Sequence, residues 1–180
     1  MNKIAAASVA ATALLLAGCV SEKKYDNLEA QYAAMNQTMS GEVAAGNVRI
    51  TRLQGAIKVS VNSELLFPSG GWQMPQAAAA TIAKMAPILA PTQQAKVVVN
   101  GYTDNVPIGP ELMAQGVTSN QVLSMKRAQS VMDDLIANGV NPNMVSAQGL
   151  GDTNPVAPND TAAGRAQNRR VELTLASTGS

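Results

Sequence analysis

The sequence predicts an α+β two-layer sandwich, a small mixed sheet covered by helices in the order β-α-β-α-β-β. Three observations carry this. Ile57, Val59 and Val61 alternate with Lys58 and Ser60, and Val171, Leu173 and Leu175 alternate in the same way near the C-terminus. A period of two marks half-buried strands. Between them, Val97-Val98-Val99 is a β-branched run suited to a buried strand, and stretches of helical composition lie on either side of it.

Taken in chain order, Leu65-Leu66-Phe67 extends or follows the first strand, and residues 67–71 have turn chemistry. Pro75 suits a first helical turn, and residues 76–89 read as an Ala-rich helix stopped near Pro91, with Pro87 bending or ending it early. The valine strand covers 96–101. A long loop with Pro107, Gly109, Pro110 and Gly116 follows. Ser119 or Asn120 caps the next helix, which runs to Asn138 before Gly139. Leu123, Ala128, Val131, Leu135 and Ile136 form its apolar face. Residues 145–148 give a third strand, and after a turn-rich stretch 169–176 gives the last.

The N-terminus has a different logic. Lys3 precedes an apolar run over residues 4–16, too short for a lasting membrane span, which needs about 20 residues. These are the parts of a secretory signal, and Leu16-Ala17-Gly18-Cys19 resembles the lipobox of bacterial lipoproteins. That resemblance implies cleavage after residue 18 and acylation of Cys19 with palmitate-type chains. Val20 in place of Asp implies an outer-membrane address. Residues 19–48 then form a lipidated, helical tether, and 49–180 form the domain. Within the tether Tyr25, Leu28, Tyr32, Met35 and Met39 are spaced as a helical stripe that rests on the domain or the membrane, or self-associates.

Composition excludes several function classes. Thirteen basic side chains face twelve acidic ones and Lys3 belongs to the signal, so no net field favours nucleic acid. The chain has no His, and its one Cys is the acylation site. Ser-His-Asp and Cys-His nucleophiles and the usual zinc sites are therefore absent, and neither an enzyme nor a metal or cofactor is expected. A Ser-Lys or two-carboxylate enzyme stays formally open, but consecutive helical residues face different ways, which argues against a pair at Asp133/Asp134.

Three blocks in the domain carry a family likeness. They are Gly101-Tyr102-Thr103-Asp104-Asn105; Asn120-x-x-Leu123-Ser124-x-x-Arg127-Ala128-x-x-Val131; and Gly149-x-Gly151-x-x-x-Pro155 with Asn159-Asp160-Thr161-x-x-Gly164-Arg165-Ala166-x-Asn168-Arg169-Arg170-Val171-Glu172. In this order they resemble the OmpA-like peptidoglycan-binding family over roughly residues 55–176. The resemblance implies a non-covalent ligand, the diaminopimelate of the peptidoglycan stem peptide, with Asp104 for its ammonium and Arg127 for its carboxylate. Thr103, Asn120, Leu123 and Arg169 join them as ligand-binding residues. An anion and a cation on rigid supports suit a zwitterion, because charge-assisted bonds are the strong ones.

By chemistry alone, Asp104 suits closing a turn, Arg127 a solvated helix charge, and Asn120 with Ser124 a capping pair. Arg169 and Arg170 point to opposite faces of the last strand, Arg170 being the structural one. The stretch at 106–118 is longer than in compact members and resembles the flagellar-stator branch. The implied protein is an outer-membrane lipoprotein of the peptidoglycan-associated type, facing the periplasm and tethering membrane to wall, with further envelope proteins as possible partners. The alternative is a periplasmic docking scaffold with secondary wall binding.

Overall fold

A computed structural model describes residues 16–91 and 95–177, and the side chains of 27–91 and 95–176. The expected signal and the acylated Cys19 side chain lie outside the described residues, as does the side chain of Tyr25. Helices α1 (Leu16–Thr38) and α2 (Ser40–Ala44) lead into a hairpin of β1 (Val48–Leu53) and β2 (Ala56–Asn62). Then come α3 (Ser63–Leu66), α4 (Gln76–Ala83), α5 (Ala86–Leu89), β3 (Ala95–Tyr102), α6 (Pro110–Ala114) and α7 (Asn120–Ala137). A 3₁₀ turn at Pro142–Met144, β4 (Val145–Gly149), α8 (Ala162–Asn168) and β5 (Arg170–Ser177) complete the chain.

The five strands form one mixed sheet in the order β1-β2-β5-β3-β4, with β3 and β4 parallel and the other pairs antiparallel. Ile57, Val59, Val61, Val97, Val99, Val171, Leu173 and Leu175 are buried in one core with Ile82, Met85, Leu89, Ala128, Val131 and Leu135 of the helices. The α+β sandwich is as the alternation predicts. Met35 and Met39 are also buried in this core, with Leu28 and Tyr32 packed against it. The N-terminal stripe thus rests on the sheet. Glu29–Arg52 and Glu42–Lys84 ion pairs, at 2.6 and 2.7 Å, clasp this part of the chain to its surroundings.

Several local expectations change. The chain has an extra strand, β1, ahead of the first expected one, and an extra helix, α8, in the turn-rich stretch. Leu65 and Leu66 belong to the helical turn α3, because the Asn62 side chain accepts from the Glu64 N–H and turns the backbone out of the strand. The Ala-rich segment breaks into α4 and α5, with Pro87 in the first turn of α5, where a missing N–H does not matter.

Two glycines allow α7 to lie directly on the strand ends. A Cβ on Gly101 would sit 2.1 Å from the Ser124 carbonyl oxygen, and one on Gly149 would sit 2.4 Å from the Met125 nitrogen. The Ser124 hydroxyl, fully buried, accepts from the Gly151 N–H at 2.9 Å and locks the contact. This close approach fixes Leu123 and Arg127 beside the end of β3.

Candidate functional site

The C-terminal end of β3 and the first turns of α7 frame a cleft of about 600 Å³. Leu150 and Thr103 donate their N–H groups to Gly101 and Gly151 respectively, so the 149–151 turn is zipped onto the end of β3. Asp104 follows. One of its carboxylate oxygens accepts from the Val106 N–H at 3.1 Å, so the turn-closing role open to an Asp here is filled. Ser119 caps α7 by accepting from Val122 N–H. That leaves the Asn120 amide to donate to the carbonyls of Asp104 and Val106, at 3.3 and 3.1 Å, pinning the loop to the helix.

The long 106–118 stretch forms one wall. Ile108, Val117 and Leu123 make a small second core, with Trp72, Leu112 and Val122 packed against it. Leu123 therefore serves packing as well as lining the cleft. Opposite this wall, Asn168 accepts from the Val156 and Ala157 N–H groups and donates to Asn159, whose side-chain oxygen also accepts from Asn105 N–H. The 156–161 loop is held against the Asp104 loop by this network.

The charges are arranged unevenly. Arg169 donates to the second Asp104 oxygen at 2.6 Å and also pairs with Glu64. Burial lowers the pKa of its guanidinium, but the hydrogen bonds it donates to Glu64 and Asp104, and their charges, outweigh this and leave it raised. Arg127 is only 4% exposed. Among the described residues its one hydrogen bond runs from Nε to the Gly71 carbonyl, at 2.8 Å, and its guanidinium lies 5.4 Å from the Phe67 ring centre. Burial, and then the Arg169 charge, pull its pKa down to about 10 against the opposing pull of Asp104. It remains a cation at neutral pH, with four of its five N–H donors uncommitted.

All six residues expected at the site, Thr103, Asp104, Asn120, Leu123, Arg127 and Arg169, line this one cleft. Arg170 points to the opposite face of the sheet, onto Glu172. Asp133 and Asp134 do not line the cleft. Ser63, Glu64, Phe67 and Arg165 do, and sequence reasoning had not singled them out as site residues. Glu64 and Arg169 stand 105 residues apart, beyond any local spacing rule. Arg165 lies within the third sequence block, the one signal that pointed to it, and it donates to the Asn159 carbonyl at 2.8 Å. Among the described residues the buried Ser63 and Thr103 hydroxyls have no hydrogen-bond partner.

The groups gathered here have the chemistry to meet a small zwitterion or carboxylate. They comprise a carboxylate with lone pairs to spare, a buried guanidinium fork and apolar side chains between them.

The OmpA family model matches residues 66–169. The Escherichia coli protein named "Probable lipoprotein YiaD" is 36% identical over 148 residues, 82% of this chain and 62% of that protein. The Mycobacterium tuberculosis "Peptidoglycan-binding protein ArfA" is 37% identical over 123 residues, 68% of this chain and 35% of that protein. The chain thus spans less than two thirds of the length of either relative. The solved structure of the cell wall anchor of the T6SS from Pseudomonas aeruginosa superposes with a TM-score of 0.71 at 31% identity, covering 79% of this chain and 96% of that one. With more than half of its length matched by the family model, and with the three blocks converging on one cleft, the chain belongs to the OmpA family.

Proposed function

We propose that this protein binds peptidoglycan non-covalently through the diaminopimelate end of the stem peptide and tethers the outer membrane to the wall. In this reading it is an acylated, periplasm-facing protein held in the membrane through Cys19. The observation that carries it is Arg127. A buried cation with no ion-pair partner is costly unless something supplies the missing anion. A ligand carboxylate entering the cleft does so, and the guanidinium fork can take it with two parallel bonds. Asp104 meets the adjacent ammonium. A carboxylate offers about four lone-pair positions, and here Arg169 and Val106 use two of them. Each charge-assisted bond is worth about 1.5–3 kcal/mol, so a few give affinity on the micromolar scale. That suits a contact repeated along a polymer.

The names of the relatives support the same reading: one is called a lipoprotein, one a peptidoglycan-binding protein and one a cell wall anchor. An exposed N-terminal stripe would suit the scaffold alternative as a docking face. Its Met35 and Met39 are instead buried in the chain's own core.

Co-sedimentation of the detergent-solubilised full chain with purified sacculi tests the wall contact. Wild type should pellet and Asp104→Ala should stay in the supernatant. Equal pelleting of both would overturn the assignment. For the anchor, cells fed a clickable fatty acid should label the wild type and not Cys19→Ser, and equal labelling would remove the lipid from the proposal.

A further inference from the structure

The cleft holds one charge for which the binding reading has no use. Five ionisable side chains line it, Arg127, Arg165 and Arg169 against Glu64 and Asp104. Arg169 pairs with both acids. The free end of diaminopimelate, an ammonium and a carboxylate, is neutral overall, so filling the site with it leaves the cations one in excess. The cation left over is Arg165. It is half-buried, and among the described residues it has no ion-pair partner. Its one side-chain hydrogen bond runs from Nη1 to the Asn159 carbonyl at 2.8 Å, and its remaining N–H donors are uncommitted. The fold nevertheless fixes where it stands. A Cβ on Gly164 would sit 1.9 Å from the Pro158 carbonyl oxygen, so a side chain there would push the 156–161 loop off α8. Thr161 caps α8 by accepting from the Gly164 N–H. The Arg169 N–H donates to the Arg165 carbonyl at 3.0 Å, so the two arginines stand one turn apart, on one side of the helix. Like charges at that spacing oppose folding. Two acids offset the charge of Arg169, and nothing in the cleft offsets that of Arg165.

We infer that Arg165 is a ligand-contacting residue that reads a second carboxylate of the bound stem peptide, apart from the one at the diaminopimelate end. A guanidinium held at Nη1 by a carbonyl still presents an edge to a carboxylate. A stem peptide has two such groups to offer: the α-carboxylate of its γ-linked glutamate, beside the diaminopimelate, and the carboxylate at its C-terminal end. Either brings the cleft to charge balance, and an uncharged amide in the same place does not. Arg165 thereby makes the site selective for an acidic peptide carrying diaminopimelate over diaminopimelate alone. The inference rests on the proposed wall binding and goes beyond it, since Asp104 and Arg127 alone would suffice for that.

The test uses the full chain in detergent, with calorimetry against three synthetic stem peptides that share an unmodified diaminopimelate. One is native, one has the glutamate α-carboxylate as an amide, and one has the C-terminal carboxylate as an amide. Arg165→Gln removes the charge and keeps an N–H donor for the Asn159 carbonyl. It should melt within about 2 °C of the wild type, as expected for a residue outside the core. The wild type should bind one of the two amides about fivefold more weakly than the native peptide, the scale of a partly exposed ion pair. Which amide it is names the carboxylate. Arg165→Gln should bind the native peptide about fivefold more weakly than the wild type does, and should no longer distinguish that amide from it. Equal affinity of the wild type for all three peptides would overturn the inference. So would a preference that persists in Arg165→Gln, because another group would then read the carboxylate. An equal loss for all three peptides on Arg165→Gln would assign the residue to holding the Asn159 loop and overturn it too. If the wild type binds none of the peptides, the wall-binding reading fails first and takes this one with it.

Discussion

Arg127 and Arg170 are equally buried, at 4% exposure each, on opposite faces of the same sheet, and they are treated in opposite ways. Arg170 is saturated. Its Nε meets Glu172 at 2.9 Å, its two Nη groups donate to the Asn168 and Asn154 carbonyls, and its guanidinium lies 3.8 Å from the Tyr102 ring centre. Arg127 has one carbonyl and the face of Phe67. Burial alone therefore does not separate a structural charge from a binding charge; the number of partners does. Arg170 ties the 154–168 loop to the sheet, which holds Asn159 against the Asp104 loop. Arg127 uses that rigidity and keeps its fork open.

The largest expected effect breaks the saturated side. Arg170→Met leaves Glu172 buried, with Lys58 at 3.6 Å and the Tyr102 hydroxyl as its remaining partners. Removing one partner of a buried pair costs about 3–5 kcal/mol, which for a chain of this size lowers the melting temperature by roughly 10 °C. Thermal unfolding followed by circular dichroism measures it, and a shift of under about 3 °C would show the network is dispensable.

Arg127→Met should invert that pattern. Its folded-state pKa of about 10 lies below the unfolded value, so at neutral pH folding works against the charged form. Removing the charge takes away that penalty, which the unfolded chain does not feel, and Met fills most of the volume. The melting temperature should stay within about 2 °C or rise, while binding to the diaminopimelate peptide falls by about 100-fold, the scale of a charge-assisted pair of bonds. Loss of stability with retained binding would make Arg127 structural.

The contrast between the two arginines was partly legible in the sequence. Alternation over residues 169–176 put Arg169 and Arg170 on opposite faces, and the motif blocks pointed to Arg127. Which arginine was saturated depended on Asn154, Glu172 and Tyr102, brought together only by folding. The same limit explains the fold. Strands with strict alternation, such as 57–61 and 171–175, and the long amphipathic α7 were readable. β1 was not, because as an edge strand it places Arg49 and Arg52 within its apolar pattern. α8 has seven residues and a glycine, too little for a periodic signal. The Met35/Met39 stripe has one periodicity whether it meets a membrane, a partner or its own sheet, and tertiary packing decided among them. Glu64 and Ser63 joined the site through α3, a single turn whose cap is one Asn side chain.

The smallest expected effect sharpens the comparison from the ligand side. Converting the diaminopimelate carboxylate to an amide removes its charge but keeps one carbonyl oxygen for the Arg127 fork. The loss should therefore be smaller than for Arg127→Met, about tenfold, in line with one charge-assisted bond weakened to a neutral one. In the Arg127→Met background the amide should matter much less, since the group that reads the charge is already gone. In the Arg170→Met background, measured at a temperature where that variant is folded, the full tenfold loss should persist, because Arg170 lies on the other face and shares no partner with the ligand. Calorimetry of the native and amidated peptides against all three proteins gives two double-mutant cycles, one expected to show coupling and one not. Equal coupling in both cycles would mean that the two buried arginines act through a shared change in the fold, and the division between saturated and open charge would fall.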